Sequence, residues 1–125
     1  MRFLLICAGG AIGTGARYLL SEWSLKLLGP AFPYGTLAVN LIGSFLLAAI
    51  MFFGLEAQSI SPATRLMLGT GIMGGFTTYS TFSYDTFRFV EAGQWRAAIL
   101  NVTLTLFGCL AACFAGWSLA KAQGQ

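Results

Sequence analysis

Four long runs of apolar residues, separated by short polar breaks, cover most of this 125-residue chain. One helix needs about 20 apolar residues to cross a hydrocarbon core of about 30 Å. Because a bilayer offers backbone groups no water to bond, such a segment is expected to be helical. The sequence therefore predicts an all-α membrane protein with a single domain, residues 1–125. Its four transmembrane helices are expected at about 3–28, 34–55, 65–90 and 95–119.

The composition supports a lipid environment. Hydrophobic residues make up 57% of the chain and charged residues only 9%, and the mean hydropathy is +0.76. Seven basic and four acidic side chains are too few to cover a globule in water. The net charge of +3 does not indicate a nucleic-acid partner, because the basic residues are scattered singly between apolar runs.

The cysteines are Cys7, Cys109 and Cys113, and all three lie inside apolar runs. The chain contains no histidine that would complete a metal site. Neither a disulfide framework nor a zinc site is indicated.

The loop charges do not favour one orientation in the membrane. Short connections make neighbouring helices antiparallel, and an even number of spans puts both termini on one side. With Arg17 left out of the count because it lies inside the first window, three basic residues fall on each side: Arg2, Arg65 and Lys121 with the termini, and Lys26, Arg88 and Arg96 opposite. The positive-inside rule therefore gives no net preference. Two interpretations stay open, a weak bias set by local detail and a dual topology in which oppositely inserted copies pair.

Glycines spaced by four residues occur in the first and third windows, as Gly9 with Gly13 and Gly71 with Gly75. Small residues at this spacing allow two membrane helices to approach closely. The contact they make can lie within one subunit or between two copies. An oligomer is expected in either case, since a four-helix subunit of this size has little interior of its own.

The third window is unlike a plain lipid-facing helix. Glycines between positions 69 and 75 are followed by a run, 77–84, in which seven of eight side chains carry a hydroxyl. Glycine weakens a helix, and hydroxyls can bond the backbone groups that a break exposes. The pattern predicts a helix broken near the bilayer midplane, where such breaks hold ions. The alternative is a seam of small residues that only packs.

Two polar side chains inside apolar windows need partners. The Asn40 amide has two N–H donors that suit an anion, or it can bond a neighbouring helix. Arg17 costs about 2.5–3.5 kcal/mol at the centre of a membrane helix. Its guanidinium is expected to extend toward the membrane surface or to face a polar region of the protein. There it would make a pore mouth electropositive.

Two further patterns place polar or aromatic groups near the predicted break. On the fourth helix a stripe at i+4 steps forms a wall opposite the hydroxyl run: Asn101, Thr105, Cys109 and Cys113. Tyr79 and Phe82 share a helix face beside Ser80 and Thr81. The edge of an aromatic ring carries partial positive charge and can meet a small anion.

Three motifs in order resemble the Fluc (CrcB-like) family of fluoride channels along nearly the whole chain. The first is Gly9-Gly10-Ala11-Ile12-Gly13 with Arg17-Tyr18, and the second is Gly35-Thr36-Leu37 with Val39-Asn40 and Gly43-Ser44-Phe45. The third is Gly74-Gly75-Phe76-Thr77-Thr78-Tyr79-Ser80-Thr81-Phe82-Ser83, which is similar to the family's broken helix.

The resemblance implies an antiparallel, dual-topology homodimer in the cell (inner) membrane that exports fluoride passively. It implies one sodium ion at the dimer axis, held by backbone carbonyls of Gly74 and Thr77. The remaining implied roles are a pore-lining amide at Asn40, two aromatic fluoride stations at Tyr79 and Phe82, and a polar track: Ser80, Thr81, Cys109 and Cys113. A channel of this kind needs no catalytic residues, so an enzyme is not expected.

The chain departs from the family pattern at several of these positions. Tyr79 stands where phenylalanine is usual, so its hydroxyl can alter that station. Cys109 and Cys113 stand where relatives carry serine and threonine, and thiols are weaker donors. Asp85 replaces the usual glutamate, in a position with no assigned role.

Two other kinds of protein share some of these features. A small multidrug-resistance-type exporter also has four short spans, but it needs a titratable carboxylate deep in the first helix. Glu22, the acid in that window, lies near its end beside Trp23. A non-conducting assembly subunit has no reason to place donors along two facing helices. Anion flux in liposomes distinguishes the three.

Overall fold

The structure is a computed structural model that describes residues 1–124. Within them the chain forms helices and connections, without strands. Helix α1 is Arg2–Leu28, α2 is Tyr34–Met51 with a π-helical extension Phe52–Glu56, α4 is Tyr79–Glu91 and α5 is Trp95–Gln123. Helix α3 is continuous over 62–76 and consists of Pro62–Arg65, a π-helical stretch Leu66–Met73, and Gly74–Phe76.

Three helices are long and apolar enough to cross a membrane: Arg2–Leu28, Tyr34–Glu56 and Trp95–Gln123. The chain is therefore a multi-pass membrane protein, as its composition predicted. The fourth expected span is present as two shorter helices, α3 and α4. Thr77 and Thr78 between them are extended, with ψ angles of 160° and 114°. The predicted break in the third helix is present, and its depth in the bilayer stays a prediction.

Local sequence explains where α3 begins. The Ser61 hydroxyl accepts a hydrogen bond from the Thr64 backbone N–H at 3.1 Å. Pro62 occupies the first helical turn, where its missing N–H removes no helix bond. The helix consequently starts three residues earlier than the apolar window suggested.

The spaced glycines pack α1 against α3 within one subunit. Gly9 and Gly13 are buried on α1, and Gly71 is buried on α3. A Cβ atom on Gly75 would lie only 2.5 Å from the carbonyl oxygen of Gly10. The two backbones approach so closely that no side chain fits between them. This decides the question that the sequence left open, because the seam lies inside the subunit.

The interior is small and most large apolar side chains face outward. Val39, Met73 and Phe76 form the core cluster, where α2 meets the end of α3. Leu19 and Phe114, by contrast, are 68% and 75% exposed. In a membrane protein such surfaces meet lipid or another subunit. The core cluster lies directly beside the break, because Phe76 is the last residue of α3.

Candidate functional site

Asn40 holds the broken backbone from the neighbouring helix α2. Its side-chain oxygen accepts from the Thr78 N–H at 2.8 Å, and its Nδ2 donates to the Thr78 carbonyl oxygen at 3.1 Å. Both backbone groups of Thr78 are thus satisfied without a helix. Of the two options for Asn40, the structure shows the bond to a neighbouring segment. Since an amide has two N–H donors, one stays without a protein partner among residues 1–124.

Thr78 also caps the helix that follows the break. Its hydroxyl accepts from the Thr81 N–H at 3.2 Å and contacts the hydroxyls of Thr81 and Ser80 at 3.2 and 3.3 Å. Three hydroxyl groups therefore gather at the N-terminus of α4. That end of the helix carries partial positive charge from its free N–H groups.

The end of α3 presents free carbonyl groups. In a continuous helix the Gly74 carbonyl would accept from the Thr78 N–H, but Asn40 occupies that donor. Thr77 is extended, so its carbonyl has left the helical pattern as well. Within residues 1–124 no hydrogen bond reaches either oxygen. Unwound carbonyls of this kind coordinate sodium in membrane proteins, so the residues present fit the ion that the family resemblance implies.

Arg17 reaches the same helix end from α1. Its Nε donates to the Gly75 carbonyl oxygen at 3.0 Å, and the side chain is partly buried. A cation beside the C-terminal carbonyls of a helix is favourable. Arg17 therefore faces polar backbone groups inside the protein, as expected. Its role in making a pore mouth electropositive stays a prediction.

A cavity of about 560 Å³ lies between α2, the break, α4 and α5. We call it the Asn40 groove. Five of the predicted anion-pathway residues line it: Asn40, Tyr79, Phe82, Cys109 and Cys113. Ser80 and Thr81 do not line it, because they lie on other faces of α4. The structure thus assembles most of the predicted pathway from segments far apart in sequence.

Thr105 belongs to the predicted stripe on the fourth helix, but the sequence analysis assigns it no role of its own. The structure places it against the Asn40 groove, 8% exposed. Its hydroxyl oxygen is buried and has no hydrogen-bond partner among the described residues. A buried hydroxyl without a partner is costly, and such groups in native proteins usually have a role. The i+4 spacing to Cys109 was the available signal.

The two aromatic rings contact each other at the mouth of the groove. The Tyr79 and Phe82 ring centroids are 5.7 Å apart, with the planes at 81°, which is an edge-to-face arrangement. Tyr79 is 72% exposed, whereas Phe82 is partly buried. As predicted from their spacing, the rings share one face of α4.

Asn101 on α5 forms a hydrogen bond to α4. Its Nδ2 donates to the Thr86 hydroxyl at 3.0 Å, and that hydroxyl donates to the Phe82 carbonyl oxygen at 2.9 Å. Asn101 is only 2% exposed. Asn101 therefore lies inside the subunit, between α4 and α5.

A second cavity, of about 410 Å³, lies beside the connection between α1 and α2. We call it the loop cavity. Its polar lining includes Thr36 from α2 and Thr81, Asp85 and Arg88 from α4. The first turns of α4 thus separate two cavities, with Phe82 lining one and Thr81 the other.

The subunit is a helical membrane bundle with one interrupted helix, and the Asn40 amide and the Arg17 guanidinium bind the backbone at the interruption. This arrangement is typical of ion-conducting or transporting membrane proteins. The model of the CrcB-like protein family, Camphor Resistance (CrcB), matches residues 4–117, and the chain belongs to this family. The family expected from the three motifs is confirmed.

Several relatives match almost the whole chain. A protein of Anaeromyxobacter dehalogenans is 53% identical over 120 residues, which cover 96% of this chain and 95% of the relative. One of Sorangium cellulosum is 50% identical over 120 residues, with 96% and 94% covered. One of Geotalea uraniireducens is 46% identical over 119 residues, with 95% and 96% covered. Each of the three is named fluoride-specific ion channel FluC.

Proposed function

We propose that this chain is a subunit of a fluoride-selective channel through which fluoride leaves the cell passively, so that cytoplasmic fluoride falls. The names of its close relatives support this. The observation that carries the proposal is the Asn40 groove. Its lining contains an amide, a buried hydroxyl and two aromatic rings, but no acidic side chain. Within this groove an anion meets donors and no carboxylate that would repel it.

Fluoride is small and strongly hydrated, so a selective path must replace its water with donors. The remaining N–H of Asn40 and the Thr105 hydroxyl are two such donors, since neither has a protein partner among residues 1–124. The ring edges of Tyr79 and Phe82 add partial positive charge without offering lone pairs. Cys109 and Cys113 continue the lining along α5; thiols are weaker donors than hydroxyls, and the Cys113 thiol already donates to the Ser44 carbonyl oxygen.

Ser80 and Thr81 belong to the same proposed path on the other side of α4. Thr81 lines the loop cavity, and both hydroxyls contact the Thr78 hydroxyl at the helix N-terminus. Hydroxyl groups rotate to donate when an anion approaches. We propose that an ion passes these hydroxyls between the loop cavity and the Asn40 groove, with the Arg17 guanidinium adding positive potential nearby.

The proposal includes an antiparallel homodimer of dual topology in the cell (inner) membrane. The balanced basic residues and the outward-facing apolar surfaces support it. Two copies would contribute four carbonyls, from Gly74 and Thr77 of each, to one sodium ion at the dimer axis. When bound, the ion supplies positive charge that lowers the cost of an anion in a low-dielectric site.

The exporter alternative lacks its required carboxylate. Glu22 is exposed and lines the loop cavity, six residues before α1 ends at Leu28. Proton coupling of that kind needs an acid deep in the span. The assembly-subunit alternative does not account for unpartnered donors at Asn40 and Thr105. Neither alternative is favoured.

Fluoride efflux from proteoliposomes of the purified protein tests the proposal, with chloride efflux as the comparison. We expect rapid fluoride efflux and negligible chloride efflux. Protein-free liposomes are the control for leakage. Absence of fluoride efflux, or equal efflux of the two anions, would refute a fluoride-selective channel.

A further inference from the structure

Two thiols share the wall of the Asn40 groove with one residue of α2. Cys109 and Cys113 lie one turn apart on α5, and both line the groove. The Cys113 Sγ donates to the Ser44 carbonyl oxygen at 3.4 Å, and the Cys109 thiol lies beside the Ser44 side chain. Both thiols therefore lie near Ser44 of α2, and neither forms a disulfide.

The spacing of these thiols suits an ion that accepts two ligands. Side chains four residues apart on a helix have Cβ atoms about 5–6 Å apart. Two metal–sulfur bonds of about 2.3 Å, the length of a zinc–thiolate bond, span about 4.6 Å in line. Rotation of the thiols about their χ1 bonds is then enough to bring both sulfurs to one ion.

The surroundings select the kind of ion. Thiolates prefer soft metals, and the groove has no carboxylate or imidazole in its lining to complete a four-ligand set. A divalent ion with two thiolates is neutral, which suits a low-dielectric wall, whereas a monovalent ion would leave a net negative charge.

We propose that Cys109 and Cys113 bind one soft divalent ion of two-coordinate preference, such as mercury(II), and that this ion blocks the groove. When the ion is supplied as its chloride, two S–H bonds and two metal–chloride bonds break and two metal–sulfur bonds form. Two protons and two chloride ions pass to water. No oxidant or reductant is involved. The block rests on the proposed function, because it requires that anions pass along this wall, whereas the binding does not.

Binding is tested on the purified full-length protein with mercury(II) chloride and an excess of glutathione as a competing monothiol. We expect one tightly held ion per chain in the parent and in Cys7→Ser, whose altered thiol is exposed on α1. In Cys109→Ser and Cys113→Ser the chelate is lost, so glutathione should remove the ion at concentrations at least about 100-fold lower. Equal retention in either of these two variants, or loss in Cys7→Ser, would overturn the site.

The block is tested in proteoliposomes by comparing each variant with its own mercury-free fluoride efflux. Mercury should stop efflux in the parent and in Cys7→Ser, and a dithiol reagent should restore it. Continued efflux with the ion bound to both thiols would overturn the block. If the parent carries no fluoride even without mercury, the proposed function fails, and the glutathione competition still decides the metal site.

Discussion

Phe82 owes its position to hydrogen bonds that do not involve its ring. Its carbonyl oxygen accepts from Thr86, which in turn accepts from the buried Asn101. These bonds connect α4 to α5 and leave the ring beside Tyr79 at the groove. A side chain supported in this way can be replaced without moving the backbone that carries it.

Replacing Phe82 with isoleucine should reduce fluoride efflux while the fold persists. The substitution keeps the apolar character but removes the electropositive ring edge. If the edge stabilises the ion by about 1.4 kcal/mol, its loss slows passage about tenfold, and we expect a decrease of at least that size in the liposome assay. Tyr79→Phe is the control, because it retains a ring edge and should conduct like the parent. Efflux of Phe82→Ile equal to the parent would show that the ring only packs.

Thr105→Val should separate transport from stability. The valine is nearly isosteric and removes a hydroxyl that is buried without a partner. Removing such a group is neutral or stabilising for the fold, so thermal unfolding in detergent should occur at the same or a higher temperature. Fluoride efflux should fall, because a donor is lost from the groove. A variant that is destabilised yet conducts normally would contradict both expectations.

The contact between helices α1 and α3 depends on glycines, which have no side chains to separate the two backbones. Both backbones approach along the glycine seam, and the end of α3 is held there by the Arg17 bond to the Gly75 carbonyl. The break that follows is then held by Asn40 from α2. Arg17 on α1 and Asn40 on α2 thus hold the end of α3 and the start of α4 from two sides.

Gly75→Ala should destabilise the subunit. The new Cβ would meet the Gly10 carbonyl oxygen at 2.5 Å and the Thr14 hydroxyl at 3.0 Å. Overpacking of this kind costs about 1–3 kcal/mol, which thermal unfolding in detergent will register as a lower midpoint. Gly15→Ala is the matched control, since nothing lies within 4 Å of its added methyl. Equal midpoints for the two variants would mean that α1 and α3 can separate enough to accept the methyl group without loss of stability.

The two connections on opposite ends of the subunit allow its orientation in the membrane to be tested. The connections carry Gln58 between α2 and α3, and Gly93 between α4 and α5, both exposed. In a single orientation these two sites would lie on opposite sides of the membrane. In a dual topology each would be found on both sides.

We expect single cysteines at 58 and at 93, in a background without native cysteines, to react with an impermeant thiol reagent from either side of the membrane. The equal number of basic residues on the two sides gives the physical reason. Labelling is compared in intact and in permeabilised cells. Reaction of one site from one side only would exclude dual topology.

The proposed sodium ion gives a separate expectation. Fluoride efflux should be lost in sodium-free medium and return when sodium is added, because the fixed charge that favours the anion is removed. A tightly held ion can resist removal, so crystallographic density between the two copies of residues 74–77 is the stricter measurement. A dimer without an ion between these carbonyls would contradict the assignment.

The four apolar segments and the break in the third of them can be predicted from the amino-acid sequence alone. Both are local properties, since bilayer thickness fixes the length of an apolar run and glycines followed by hydroxyls weaken one helix at one place. The three motifs also identified the family. These conclusions required no knowledge of which helices touch.

Which polar groups have partners depends on contacts between helices, and these follow from the tertiary structure. Asn40 bonds Thr78, 38 residues away, and Arg17 bonds Gly75, 58 residues away. Thr105 is left without a partner against the groove. Helical periodicity fixes the face on which a side chain lies, but not the helix that this face meets. The groove is lined by residues of α2, the break, α4 and α5, so its composition could not be predicted from any one segment.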